Sequence, residues 1–468
     1  MVEGSTITGN TTPEQRQPGY RVMKPTEDLE WHTCHLVENI RPELKDRLKV
    51  PPKFTEKRKY GNEEIEVAFI EPIRRDADEL TASVWPLAQP SVSVGNGIRY
   101  ERDIPVTLRD GTIIHVDVYR PDGATNVPAI VAQGPQSKRA GYAPNPQNMN
   151  RGVAPGAISK MARSEGPDPG YWVHQGYAVI NPEMMGTGNA QGNKVHWGTQ
   201  EGRNGYDIVE WVGTREWSNG KVTMYGNSWL TMCQWFAAAE KPPHLTCITP
   251  NEGTSDIYRE FLCWGGIPEI GFNDRIVRNT AGRNLSEDYV GMLYKYPLMN
   301  AYWEDKIPKF ENIEIPAYVT TGWSHFHNRG SWEGFRKIAS PKKWMRAHRD
   351  MEWPDAHNPE VLEDLKRYWD RYLKDIHNGW EETARIRLDV MDAGDCDFQH
   401  NRPEKEWPLA RTQYTKLFLD AKTGSLSTQP FAQESAVRYD ATPGKDGIAR
   451  LTMKFNQDTE LTGYLKLR

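Results

Sequence analysis

From about residue 99, short apolar or alternating runs recur at 103–108, 112–119, 127–132, 177–182, 222–225, 245–250, 317–320 and 343–347. The first two flank Arg109-Asp110-Gly111 and read as a hairpin closed by an Asp-Gly turn. Helical periods lie between the later runs, the pattern of a mostly parallel sheet covered on both faces. Residues 256 to about 312 interrupt it with Trp-, Tyr- and Asn-rich helix-like text, which fits a cap over the C-terminal edge of the sheet. Asn358-Pro359-Glu360 opens a further helix, with Val361, Leu362, Leu365, Trp369, Leu373 and Ile376 on one stripe and Gly379 as its stop. From Ala384 the text is strand-like, at 385–391, 414–419, 449–455 and 461–467.

The sharpest local signal is Val222-Thr-Met-Tyr-Gly-Asn-Ser228-Trp-Leu. A buried strand enters a turn at Gly226-Asn227-Ser228, and an apolar helix follows at once through Trp229, Met232, Cys233 and Phe236. That is the pattern of a nucleophile elbow, in which the turn lifts a serine clear of the sheet and the next backbone N–H faces a developing oxyanion. The usual last glycine is Leu230 here, so the motif alone also fits an ordinary turn.

The flanking text decides between them. Gly176-Tyr-Ala-Val-Ile, Asp207-Ile-Val-Glu-Trp211, Trp217-Ser-Asn-Gly-Lys221, Pro242-Pro-His-Leu245 and Glu252-Gly-Thr-Ser-Asp256-Ile-Tyr-Arg259 resemble the cocaine esterase / Xaa-Pro dipeptidyl-peptidase-like hydrolases. The likeness runs on through Gly322-Trp323, Lys343-Trp344, Glu352-Trp-Pro-Asp355, Tyr372-Leu-Lys374 and Trp407-Pro-Leu-Ala-Arg411. The resemblance implies an α/β-hydrolase domain with an inserted cap and a C-terminal β jelly roll. On this chain the expected divisions are an N-terminal extension at 1–92, the hydrolase domain at 93–383 with its cap at about 256–312, and a partial β-sandwich at 384–468. A jelly roll takes about eight strands and about five can be read here. The expectation is therefore an incomplete sandwich with an open strand edge near Leu465, prone to pair with a second copy.

The resemblance also implies a serine acyl hydrolase of a small-molecule ester, amide or lactone, with an Xaa-Pro dipeptidyl-peptidase and a catalytically impaired homologue as rivals. Ser228 would be the nucleophile, and Trp229 N–H one oxyanion donor. Gln136, in Gly134-Pro135-Gln136, stands where the family keeps a tyrosine hydroxyl and would be the second donor. In the chain order Ser, acid, His, His348 falls in the place of the base. His325 and His327, in Gly322-Trp-Ser-His-Phe-His, are its rivals and read more simply as structural. The acid is displaced or absent: the family's Asp after Gly-Trp is replaced by Ser324-His325, which leaves Asp256, Asp350 and Asp355 as candidates.

Composition narrows the partners. A net charge of −5 without long basic runs excludes an electrostatic case for nucleic acid, and no apolar run is long enough for a membrane span. Five scattered cysteines have no metal-ligand spacing, so neither metal nor organic cofactor is expected. The first residues lack a basic start and an apolar stretch, the reading of a cytoplasmic protein. A small-molecule substrate and a possible homo-oligomer complete the expectation.

Overall fold

The computed structural model describes residues 54–71, 87–135, 138–139, 152–154, 156–279, 284–392, 396–440 and 447–465. The chain divides into two compact units, 1–403 and 404–468.

In the first unit, β1 (Phe54–Tyr60) and β2 (Glu63–Ile70) form an antiparallel hairpin. The predicted hairpin around Asp110-Gly111 is β4 (Ile98–Thr107) with β5 (Ile113–Pro121), and β3 (Ser91–Gly95) adds to its outer side. The core strands follow as β6 (Val127–Val131), β7 (Ala178–Pro182), β8 (Ser218–Asn227) and β9 (Leu245–Asn251). Every residue of β6 and β7 is buried, as continuous apolar strands covered on both faces should be. In the region expected to be a cap, β10 (Cys263–Trp264) and β11 (Ile267–Pro268) make a small hairpin. The cap strand β12 (Ser286–Glu287) pairs with β2, which ties the N-terminal hairpin to the cap.

The sheet is completed by β13 (Ala317–Gly322), β14 (Lys343–His348), β15 (Ile386–Met391) and β16 (Asp397–Glu404). Among the described residues its order is β16-β15-β14-β13-β9-β8-β6-β7-β5-β4-β3. From β7 through β15 the neighbours are parallel, and β5, β4 and β3 form an antiparallel flank. Helices α1 (Thr199–Gly213), α2 (Trp229–Ala239), α3 (Asn328–Lys337), α4 (Glu352–Ala356) and α5 (Pro359–Leu373) connect the parallel strands. This is the doubly wound α/β-hydrolase arrangement that the run pattern predicts.

Two boundaries differ from the sequence reading. The run at 385–391 does not begin a separate sandwich, because β15 pairs in parallel with β14 and its Leu388 is fully buried. Helix α5 starts as expected, with the Asn358 side chain accepting from Glu360 N, but ends at Leu373. Asp375 takes the left-handed conformation and Ile376 is exposed, so the apolar stripe stops one turn early.

Among the described residues of the second unit, β17 (Phe418–Asp420) and β18 (Ser425–Ser427) form a hairpin, and Thr452 bridges to Ser425. The run expected at 449–455 is thus reduced to one bridge. No strand forms over 461–465, where Leu465 is exposed, and Leu467 lies outside the described residues.

Candidate active site

Four adjacent parallel strands end at one level. Asn227 of β8 is opposite Asn251 of β9, Thr320 of β13 is also opposite Asn251, and Gly322 of β13 is opposite His348 of β14. Ligands of open α/β sheets bind beyond these carboxyl ends; the turns leaving β8, β9 and β13 carry Ser228, Glu252, and His325 with His327, and His348 is the last residue of β14.

Ser228 sits between β8 and α2 with φ 57° and ψ −115°, a strained conformation for a residue with a side chain. Its N–H donates to Glu252 O at 2.8 Å, and Asn227 N donates to Glu165 O at 3.0 Å, which fixes the turn from both sides. A Cβ on Gly226 would stand 2.4 Å from Leu230 Cδ2 and 2.8 Å from Glu165 O, so the elbow requires glycine there. Trp229 is the first residue of α2, where backbone N–H groups have no acceptor within the helix. Its indole is fixed from behind, donating to Glu201 at 3.0 Å and stacking on Trp197 at 4.3 Å. The residue after the serine is thereby fixed at the first turn of α2. Gln136 lies outside the described residues.

The imidazole at the serine is His327, with Nε2 3.0 Å from Ser228 Oγ. It is fully buried, and its other nitrogen, Nδ1, has no hydrogen-bond partner among the described residues. Phe326 lies 4.0 Å away by ring centroids, and Phe261 stacks parallel at 6.3 Å. Burial, reinforced by the charge of His325 and opposed by Glu252, pushes the basicity of His327 well below the usual histidine value. A neutral ring suits a group that must accept the serine proton.

His348, expected in that position, is turned to other partners. Its Nδ1 is 3.0 Å from Asp350 O, and its Nε2 lies 3.2 Å from Glu252 Oε1 and 3.5 Å from Asp355 Oδ2. His348 closes β14, and β15 continues the sheet beyond it, so it does not follow the last core strand; Glu252 stands 3.2 Å from its Nε2. The loop after β13 therefore supplies the imidazole for Ser228. Asn328 holds that loop, its Nδ2 donating to Gly322 O at 3.0 Å. At Gly330 of α3 a Cβ would be 2.5 Å from Thr254 Cα and 2.6 Å from Gly253 O, so glycine lets the helix close on the Glu252 turn.

None of the three candidate acids holds His327. Asp256 binds Arg259 at 2.6 Å, Asp355 pairs with Arg346, and Asp350 offers His348 a backbone carbonyl. The carboxylate at the centre is Glu252, which sequence reasoning missed although it directly follows a core strand. Burial alone would raise its pKa, but His325 and His348 outweigh that and hold it at about 2. His325 lies between two acids, with Nδ1 2.9 Å from Glu252 Oε2 and Nε2 against Glu352 Oε2. Burial would lower its pKa, yet the two carboxylates raise it to about 9. Glu252 and Glu352 thus reach His325 from different turns, one at each ring nitrogen, with one ligand atom of each residue lying within 4.8 Å of the others.

Beside His327, Phe326 and Trp264 stand 6.2 Å apart and are both partly exposed. Of the cap aromatics expected to wall a pocket, Tyr302 and Trp303 are instead fully buried packing. Among the described residues no helix is long and apolar enough to cross a membrane.

Comparison with known proteins agrees with this architecture. Residues 110–285 match the X-Pro dipeptidyl-peptidase (S15 family), and residues 378–468 match the X-Pro dipeptidyl-peptidase C-terminal non-catalytic domain. Cocaine esterase of Rhodococcus sp. (strain MB1 Bresler) is 24% identical over 413 residues, covering 72% of this chain and 66% of that protein. The crystal structure of a CocE/NonD family hydrolase from Staphylococcus aureus superposes with a TM-score of 0.65 at 31% identity, over 71% of this chain and 60% of that one. An α-amino acid ester hydrolase shares the fold, with a TM-score of 0.55 at 17% identity over 74% of this chain and 66% of that one. The chain thus spans about two thirds or less of the length of these relatives. Elbow, strand order and two family matches in the expected sequence agree, and the chain belongs to the CocE/NonD, X-Pro dipeptidyl-peptidase-like family.

Proposed function

We propose that this protein is a serine-dependent acyl hydrolase of a small-molecule ester, amide or lactone. Ser228 is the nucleophile and His327 the general base that takes its proton. The observation that carries this reading is the 3.0 Å contact between Ser228 Oγ and a buried His327 Nε2 at the mouth of an elbow. In the first step the Ser228 oxygen attacks the substrate carbonyl while its proton passes to His327 Nε2. The oxyanion collects on the Trp229 N–H, with the Gln136 amide as a second donor on sequence grounds. His327 then returns the proton to the leaving group, and water repeats the cycle to release the acid.

The bare Nδ1 of His327 favours slow turnover. A triad acid steadies the imidazolium, and losing it can cost ~10⁴-fold in rate while catalysis stays above background. The purified protein should label with a fluorophosphonate and the Ser228→Ala variant should not. p-Nitrophenyl acyl esters and an Xaa-Pro p-nitroanilide then separate esterase from dipeptidyl-peptidase activity. Absence of Ser228-dependent labelling would remove the proposal in favour of a non-catalytic homologue.

A further inference from the structure

The site contains a second charged assembly that the serine and its base do not use directly. Glu252, Glu352, Asp355 and His348 are buried together with the half-buried His325 against them, and Arg346 closes the group from β14. Two features set His325 apart. Its two nitrogens face carboxylates on different turns, Glu252 after β9 and Glu352 on α4. Its ring centroid is also only 4.8 Å from that of His327, two residues along the same loop.

We propose that His325 is a positioning residue: a fixed imidazolium, clamped by Glu252 and Glu352, that anchors the loop presenting His327 and keeps that ring neutral beside Ser228. The inference rests on the Ser228–His327 reading above. It gives this chain a cation two residues before the base, where the family resemblance leads one to expect an acid. Each ring nitrogen of His325 has a carboxylate oxygen within ion-pair distance, and two anions on opposite sides of one ring favour its protonated form. A positive charge at 4.8 Å in a water-poor site then disfavours a second proton on His327.

The remaining charges around the pair act as follows. Glu252 alone favours a proton on His327, and the His325 imidazolium beside its Oε2 offsets that pull. Glu352 faces the far side of His325, while Asp355 is occupied by Arg346 and His348. The anchoring half of the role is geometric: Asn328 N donates to His325 O at 3.0 Å, which ties the residue after the base to the backbone of the clamped residue.

Two measurements test this independently of each other. The first is the acid limb of the kcat/KM profile for an activated ester. His325→Gln should move that limb up by at least one pH unit, a loss of tenfold or more at pH values below both limbs, and His325→Lys should restore it. The second does not need turnover: imidazole ¹⁵N titration in Ser228→Ala protein, with His327 identified by His327→Asn. The His327 transition should rise by at least one unit when His325→Gln is added. If His325→Gln fails to fold, Glu352→Gln must lower the His325 transition by one unit or more. A His327 transition that does not move with His325→Gln, or a His325 transition indifferent to Glu352→Gln, would overturn the proposal. An inert wild-type enzyme with both shifts present would instead sink the hydrolase reading and leave the clamp standing.

Discussion

His327 and His325 are two residues apart on one loop and live in opposite environments. Among the described residues the His327 side chain has one hydrogen bond, to Ser228, and its ring otherwise meets those of Phe261, Phe326 and His325. His325 has a carboxylate at each nitrogen. His348, on the next strand, belongs to the charged side as well, with two carboxylates near Nε2. The difference separates two tasks that a triad normally gives to one acid–histidine pair. One imidazole is kept neutral and reactive, and the others neutralise the carboxylates and hold the turns together.

The largest effect should come from breaking the reactive half. His327→Gln should cut the rate of Ser228 labelling and ester turnover by roughly 10⁴-fold or more, with little change in urea denaturation. His348→Ala should do the reverse. It removes the ring beside Glu252 and Asp355, which keep His325 and Arg346 as partners, so a loss of about 1–3 kcal/mol is expected, while labelling of the folded fraction falls less than tenfold. Equal losses of rate in both variants would erase the distinction between the two histidines.

A smaller effect should appear in the pH dependence of stability. Glu252 has a folded pKa of about 2 against an ordinary 4.5, so its contribution is complete above 4.5 and lost as pH falls toward 2. His325, at about 9 against 6.5, contributes fully below 6.5 and loses its share as pH rises through 9. The charged half should therefore be most stabilising between about pH 4.5 and 6.5, with losses of roughly 2–3 kcal/mol at either extreme. Urea midpoints across this range, compared with those of His325→Gln, would check it; parallel curves would remove the ionic account. Smallest is Gly330→Ala, where backbone atoms cannot withdraw from a new Cβ. Overpacking of this kind costs about 1–3 kcal/mol, and the Glu252 turn should move enough to slow labelling. An unchanged midpoint would show that α3 does not fix that turn.

What could be read from the sequence was what is local. The elbow is nine contiguous residues, Val222 to Leu230, whose strand, glycine and helix signals agree, and the core strands are apolar runs buried as such. The choice among His325, His327 and His348 was not local. Gly322 and His348 are register partners, so both loops leave the sheet side by side, and which ring reaches Ser228 depends on where Glu252 lies. Glu252 could have been found from its place directly after a core strand, the position already weighed for Asp256 four residues later. The runs after 410 failed for a related reason. Alternation describes the face of a strand, but a strand needs a partner, and that partner cannot be seen in the run itself.

Ser228 and the ring that meets it are 99 residues apart in the chain. A ribosome adding about 5–20 residues per second therefore exposes the elbow roughly 5–20 s before the base is even synthesised. Through that interval β8 and β9 can pair, but the strand that delivers His327 does not yet exist. The nascent protein carries a shaped serine without a proton acceptor, and it cannot acylate itself on cellular esters until its sheet has grown past β13.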